Sequence, residues 1–467
     1  MSPSRPRSAP GGRVHAALAA VLVALVASAS PLWAQGGERL VVPPLAIDTF
    51  TLDNGLRVIV SEDHSTPIVA VEMWYHVGSA HEPEGRTGFA HLFEHLAFEH
   101  TEGMADGEFA NLITRAGGVY NGETDADRTA FHEVLPANRV NLALWSHAER
   151  MARLRIGEDD FTTQRNVVKE ERRLRVDNQP YAVSRLSLDS VAFRHYEPYR
   201  HSAMGSMDDL DSAGVSDARA FYERFYGPNH AVLAVVGAVG ADDVRAMAEE
   251  YFGALERAPE MPVLPPAPDA PRTDGERRHE EVDPLAQLPL VWMAHGLPAA
   301  SHPDYLPITL LTQILGTGES SRLRRRLVTE EGAALDVVAE IDRRRQAGML
   351  VIGAAPNASV DPARLEALLA EELRLIASEG VAPEELEAAR NQVLTGAVTE
   401  RMTVASKASL LQRYTLVHGS PFGVNRELAR FDEVTVDDLR RVAATYLTAA
   451  NRTVVVVRPG RAAGAAR

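Results

Sequence analysis

Hydrophobic and polar positions run first with the period of strands and then with that of helices. Phe50-Thr-Leu-Asp-Asn-Gly-Leu-Arg-Val-Ile-Val60 holds two short extended runs around Asn54-Gly55, a turn dipeptide that predicts a β-hairpin. Ile68 to Val77 is a further β-rich run, and helical patterns follow at about 87–100, 105–116, 136–153 and 159–176. Residues 259–271 then carry six prolines, a density that excludes helix and central strand and predicts a semi-rigid linker. The chain closes alike on both sides of it. Phe221 to Tyr226, Asn229 and the apolar run Ala231 to Val236 are echoed by Leu439 to Tyr446, Asn451 and Val454 to Val457. Each is a helix ending near Tyr, a turn with Asn and a buried strand. The expectation is an α+β protein of two homologous α/β domains, each an antiparallel-rich sheet with helices packed on it. Their bounds are 45–258 and 275–460, with 259–274 as linker and 461–467 as tail.

One apolar run belongs to neither half. Ala16 to Ala27 follows Arg5, Arg7 and Arg13 and precedes Leu32-Trp33-Ala34, the three-part pattern of a secretory leader cleaved near Ala34-Gln35. Residues 1–34 are therefore expected to be removed on export, leaving no membrane span and a periplasmic or secreted protein. The run is short for a spanning helix, although an uncleaved anchor is the alternative.

Composition narrows the chemistry. The 467 residues are 45% hydrophobic and 24% charged, a balance that folds and is not that of a disordered chain. A net charge of −16 argues against nucleic acid or an anionic membrane as partner, because both are polyanions. Cysteine is absent, which excludes disulfides, iron–sulfur clusters and thiol nucleophiles. A catalytic metal in this chain has only His and carboxylates to hold it.

Thr87-Gly-Phe-Ala-His91-Leu-Phe-Glu94-His95-Leu-Ala-Phe98 offers both. His91 and His95 are four apart, so on a helix they project from one face and can share a metal. Glu94 beside them can reach a water there without ligating the metal, while Phe89, Leu92, Phe93 and Leu96 supply packing. Two surface histidines in an ion-pair network are the alternative. A catalytic zinc normally takes three protein ligands, so a carboxylate on another element is required. In Phe161 to Leu174, a stripe through Val167, Val168 and Leu174 reads as inward, and it carries Glu171 rather than Glu170. An inward Glu answered by an Arg would give the same pattern.

With these residues the chain resembles the pitrilysin/insulinase-like inverted-zincin metallopeptidases, most of all their half-length bacterial and mitochondrial-processing types. The resemblance spans about residues 45–460. It is carried by Gly85-Arg-Thr-Gly-Phe-Ala-His91-Leu-Phe-Glu94-His95, by Gly117-Gly118-Val-Tyr-Asn121-Gly-Glu-Thr124 and by Val167-Val168-Lys-Glu-Glu171. Pro198-Tyr199, Tyr226-Gly-Pro-Asn229 and Gly316-Thr-Gly318-Glu-Ser-Ser-Arg322-Leu323 add to it. Glu171 follows His95 by 76 residues, where the family places its third ligand.

The resemblance implies one zinc per chain held by His91, His95 and Glu171, with Glu94 as general base in an endopeptidase acting on peptides or unfolded polypeptides. Gln164 stands seven before Glu171, where the family often has a supporting Glu, so the site is expected to be less anionic. The strand after Gly117-Gly118 implies a sheet edge to which substrate adds, with Asn121 on its backbone; an ordinary turn Asn is the other reading. Full-length relatives also carry an Arg and a Tyr that hold substrate and the oxyanion. Val328 and Leu335 fall at those positions, and neither can donate a hydrogen bond. That departure implies a clam-like dimer, preferentially a heterodimer whose related subunit supplies Arg and Tyr, otherwise a homodimer. A non-catalytic assembly subunit is the alternative function.

Overall fold

A computed structural model describes residues 41–460; the expected leader 1–34 and the tail 461–467 lie outside the described residues. The strands are β1 (Asp48–Thr51), β2 (Arg57–Glu62), β3 (Ile68–Tyr75), β4 (Val119–Thr124), β5 (Thr129–Pro136) and β6 (Ala231–Gly237) in the first half. The second half holds β7 (Arg277–Asp283), β8 (Leu290–Leu297), β9 (Ala334–Asp342), β10 (Gly348–Pro356) and β11 (Arg452–Pro459). They form two sheets, ordered β1-β2-β6-β3-β5-β4 and β7-β11-β8-β10-β9.

The two orders superimpose once β1 is set aside. β2 runs parallel to β6 as β7 does to β11, and every other pairing is antiparallel. The echo in sequence lies at matching places. Helix Val215–Phe225 and helix Val436–Tyr446 each end in a short 3-10 turn that feeds β6 or β11. Asn229 and Asn451 brace those turns in the same way, each accepting a backbone N–H and donating to a carbonyl of a distant segment. The Asn54-Gly55 hairpin is also present: β1 and β2 pair antiparallel, and Gly55 takes φ +94°, which costs glycine little.

Both faces of each sheet are covered, and the second cover comes from the other half. Helix Val404–His418 places Val404, Ala408 and Leu411 against Ile59, Ala70, Val232 and Ala234 of the first sheet. Its fully buried Gln412 donates to the carbonyls of Glu72 (2.9 Å) and Val232 (2.8 Å). Reciprocally, helix Ala182–Ala192 sets Leu188 and Ala192 against Ala294, Met349, Val351 and Val455 of the second sheet. Buried Arg344 locks that contact by pairing with Asp189 and Asp342, each at 2.8 Å. Burial on two faces explains why β6 reads as the unbroken run Ala-Val-Leu-Ala-Val-Val rather than an alternating one. From Pro44 onward the chain is one unit, and the proline-rich segment carries neither helix nor strand between Phe252 and Arg277.

Candidate metal and catalytic site

His91 and His95 lie on helix Phe89–Leu96, whose apolar side (Phe89, Leu92, Phe93, Leu96) is buried in the first core. Gly88 precedes it at φ +94°, a left-handed entry that turns its N–H and that of Ala90 onto the Glu82 carboxylate at 3.0 and 2.8 Å. An anion at a helix N-terminus satisfies orphan donors and complements the dipole, so Glu82 fixes the start of the helix.

Glu171 comes from helix Glu158–Arg172, which continues through a π-type turn over Arg173–Asp177. The inward stripe expected through Val167, Val168 and Leu174 is corrected here. Val168 is buried, but Val167 is 43% and Leu174 64% exposed. The inward line runs through buried Phe161 and Val168 and half-buried Gln164 and Glu171, at steps of three and four residues. Glu171 belongs to it because it follows Val168 by three.

The side chains converge. Glu171 Oε2 stands 3.4 Å from His91 Nε2 and 3.2 Å from His95 Nε2. Among the described residues this is the only group of three potential metal-binding side chains with ligand atoms so close, all within 4.8 Å of one another. The donor set fits zinc: two ligands at about 2.0–2.1 Å from a tetrahedral centre stand about 3.3–3.4 Å apart. Burial and the neighbouring His95 push His91 down to about 4, so its ring is neutral near pH 7 and offers a lone pair. Glu171 Oε1 is taken by Arg175 Nη1 at 2.8 Å, one turn further on, which leaves Oε2 to face the histidines.

Glu94 sits next to this point and is nearly buried. Its Oε2 accepts from the Thr124 hydroxyl at 2.6 Å. Burial, with added repulsion from Glu171 and Glu123, raises its carboxyl to about 7 against that hydrogen bond. A carboxyl poised there can both take and return a proton. Gln164 Oε1 lies 3.3 Å from His95 Nδ1, and its Nε2 donates to Glu99 Oε1. Asn121 is on β4, the free edge of the first sheet, and lines the same cleft of about 600 Å³ as His91, Glu94, His95 and Glu171.

Every predicted site residue is thus at one place. Four others were missed: Thr124, Glu99, Arg175 and Glu82. Glu99 and Arg175 were within reach, each four residues beyond a site residue on a helical pattern; Thr124 and Glu82 act across elements and leave no such signal. Val328 lies half-buried in the helical turn Arg324–Glu330, and Leu335 is exposed on β9, the free edge of the second sheet.

Two family models match this chain: the insulinase domain of peptidase family M16 over residues 57–204, and the M16 inactive domain over residues 213–393. The zinc protease PqqE of Helicobacter pylori is 29% identical over 413 residues, spanning 88% of this chain and 93% of that protein. The probable mitochondrial-processing peptidase β subunit of Arabidopsis thaliana is 25% identical over 433 residues, spanning 90% and 80%. A protease from Helicobacter pylori of known crystal structure superposes with a TM-score of 0.84 at 28% identity, covering 89% of this chain and all of that one. The chain belongs to the insulinase-like M16 peptidase family, in its half-length, two-domain form.

Proposed function

We propose that this protein is a zinc-dependent endopeptidase that hydrolyses peptide bonds of peptides or unfolded polypeptides. The observation that carries the reading is the convergence of His91 Nε2, His95 Nε2 and Glu171 Oε2 beside Glu94, at an open sheet edge. His91, His95 and Glu171 would hold a zinc ion, which when bound would lower the pKa of a water toward 7 and polarise the scissile carbonyl. Glu94 takes the proton of the attacking water and returns it to the leaving amine, with Thr124 holding its carboxylate in place. An extended peptide adds to β4 through main-chain hydrogen bonds, so selection is for unfolded chain, and Asn121 contacts its backbone. The names borne by the relatives support the metal and the reaction class.

The leader pattern of residues 1–34 supports the further proposal that the protein works outside the cytoplasm after their removal. With Val328 and Leu335 unable to supply an oxyanion donor, it works in a dimeric chamber, preferentially with a related subunit that carries Arg and Tyr. The test is cleavage of quenched, unstructured peptides by the zinc-loaded protein beside Glu94→Gln. Turnover by the first and not the second is expected when the partner chain is present, and turnover without it would make the missing Arg and Tyr unimportant. Zinc uptake without turnover even when the partner is present would favour a non-catalytic assembly subunit instead.

A further inference from the structure

Resting on the metallopeptidase reading above, one feature of the site departs from the family pattern and is compensated within this chain. The family's supporting Glu is here Gln164, a neutral amide whose two ends are opposite in character: Oε1 only accepts and Nε2 only donates. Which end meets His95 decides which ring nitrogen carries the proton. If Oε1 faces Nδ1, then Nδ1 is the donor and Nε2 keeps its lone pair. If Nε2 faces Nδ1, the proton moves to the far nitrogen and the ring can no longer ligate there.

Gln164 cannot choose by itself, because a side-chain amide fits either way round. Glu99 chooses. It lies one helical turn past His95, and its carboxylate Oε1 is the partner of Gln164 Nε2. An ionised carboxylate only accepts, so it claims the amide N–H and leaves Oε1 to His95 Nδ1, 3.3 Å away. The opposite nitrogen, His95 Nε2, stands 3.2 Å from Glu171 Oε2 at the point of convergence. His91 has no such support: its Nδ1 is buried and without a hydrogen-bond partner.

We infer that Glu99 is a positioning residue for the metal, acting through Gln164 to fix the tautomer of His95 and to supply, one residue further out, the negative charge that position 164 lacks. It follows that Gln164→Glu does not improve the site, since it sets two carboxylates against each other. Glu99→Gln removes the charge and leaves an amide that can present either end.

The test is zinc affinity of the full protein by competition with a chromophoric chelator, for wild type, Glu99→Gln, Gln164→Glu and the exchanged double variant. Burial and the nearby Asp106 raise the Glu99 carboxyl to about 7, so the competition is run near pH 8, where that group is ionised. Removing an outer partner of a ligating histidine typically costs 10–100-fold in metal affinity, which is the loss expected for each single variant. The double variant restores the pair with its roles reversed: the carboxylate introduced at position 164 accepts from His95 Nδ1 and from the amide introduced at position 99. It should recover to within about threefold of wild type if the support of the histidine is restored. Equal zinc affinity of Glu99→Gln and wild type would overturn the inference while leaving the metallopeptidase reading intact. So would a double variant no better than the singles. Failure of the wild type to take up zinc would overturn both.

Discussion

Replacing Thr124 by Val tests whether Glu94 acts as a positioned base. The two side chains have nearly the same shape and both suit a strand, so β4 keeps its pairing to β5, in which Thr124 faces Thr129. What disappears is one hydroxyl, 2.6 Å from Glu94 Oε2. A hydrogen bond to a charged group contributes about 1.5–3 kcal/mol. At 1.36 kcal/mol per tenfold, its loss predicts a fall in kcat/KM of about 10- to 150-fold, if the bond is fully used in the transition state. The fall should lie in kcat, because the edge that receives the peptide is main chain and is unaltered. Zinc content should stay at one per protein, because Thr124 touches no ligand. Thr124→Ser keeps the hydroxyl and should retain activity within a few-fold. Steady-state kinetics on a quenched peptide, with metal analysis of the same samples, reads all three quantities. Full activity in Thr124→Val would refute the reasoning, and so would a Ser variant as impaired as the Val one.

Gly122→Ala presses on the same base by another route: a Cβ there would stand 2.7 Å from Glu94 Oε1 and 2.9 Å from Phe98 Cε2. Overpacking of this kind costs about 1–3 kcal/mol, and peptide turnover should drop at least about tenfold with zinc still bound; an undisturbed rate would mean that Glu94 is free to move aside. Arg344→Met strands the buried carboxylates of Asp189 and Asp342 with Arg185 alone, and urea unfolding should register a loss of about 3 kcal/mol. Burial pushes Asp342 up, but the guanidinium groups of Arg344 and Arg185 outweigh it and hold its carboxyl at about 2. Its unfolded value is near 3.9, so the contribution is complete above about pH 4 and is lost as pH falls toward 2; an acid titration of stability should be flatter over that window in Arg344→Met. Chelation should abolish cleavage and lower the melting temperature together, since zinc at about 100 times its Kd adds about 2.7 kcal/mol to the native state, and melting unchanged by zinc would count against a bound metal.

The elements that were legible from sequence are those set by local chemistry. Asn54-Gly55 dictated a hairpin, His91 and His95 shared a helix face by spacing, and Asn229 and Asn451 marked equivalent turns. The phase of the second helix shows the limit. Val167 and Leu174 look like core on hydropathy alone, yet the face that meets the His91 helix is chosen by Phe161 and Val168, and two of its four places are taken by the polar Gln164 and Glu171. A functional face is polar where a structural one would be apolar, so counting apolar residues misplaces it by about one position. Helix Val404–His418 shows a second limit. Its pattern predicts that one side is buried and is silent on which sheet buries it. The answer lies across 180 residues of sequence, at the carbonyl of Val232 that Gln412 reaches.

That exchange of helices also gives the second half a reason to persist. Where the first half has the helix with His91 and His95, the second has Tyr305–Gly316, whose Ile308, Leu311 and Leu315 are buried and which contains neither His nor carboxylate. β9, the counterpart of the edge strand beside Glu94, exposes Leu335 and Val338. The second half therefore shares the sheet order without a comparable group of metal-binding side chains among the described residues. It is not expendable, because β6 is apolar on both faces and the principal cover on one of them is helix Val404–His418. Uncovering Ile59, Ala70, Val232, Ala234 and Val236 would expose a contiguous hydrophobic surface on the sheet whose edge is β4. The first half is then expected to be stable only as part of the pair. Any function of the cleft in the first half is then enough to maintain the fold of the second.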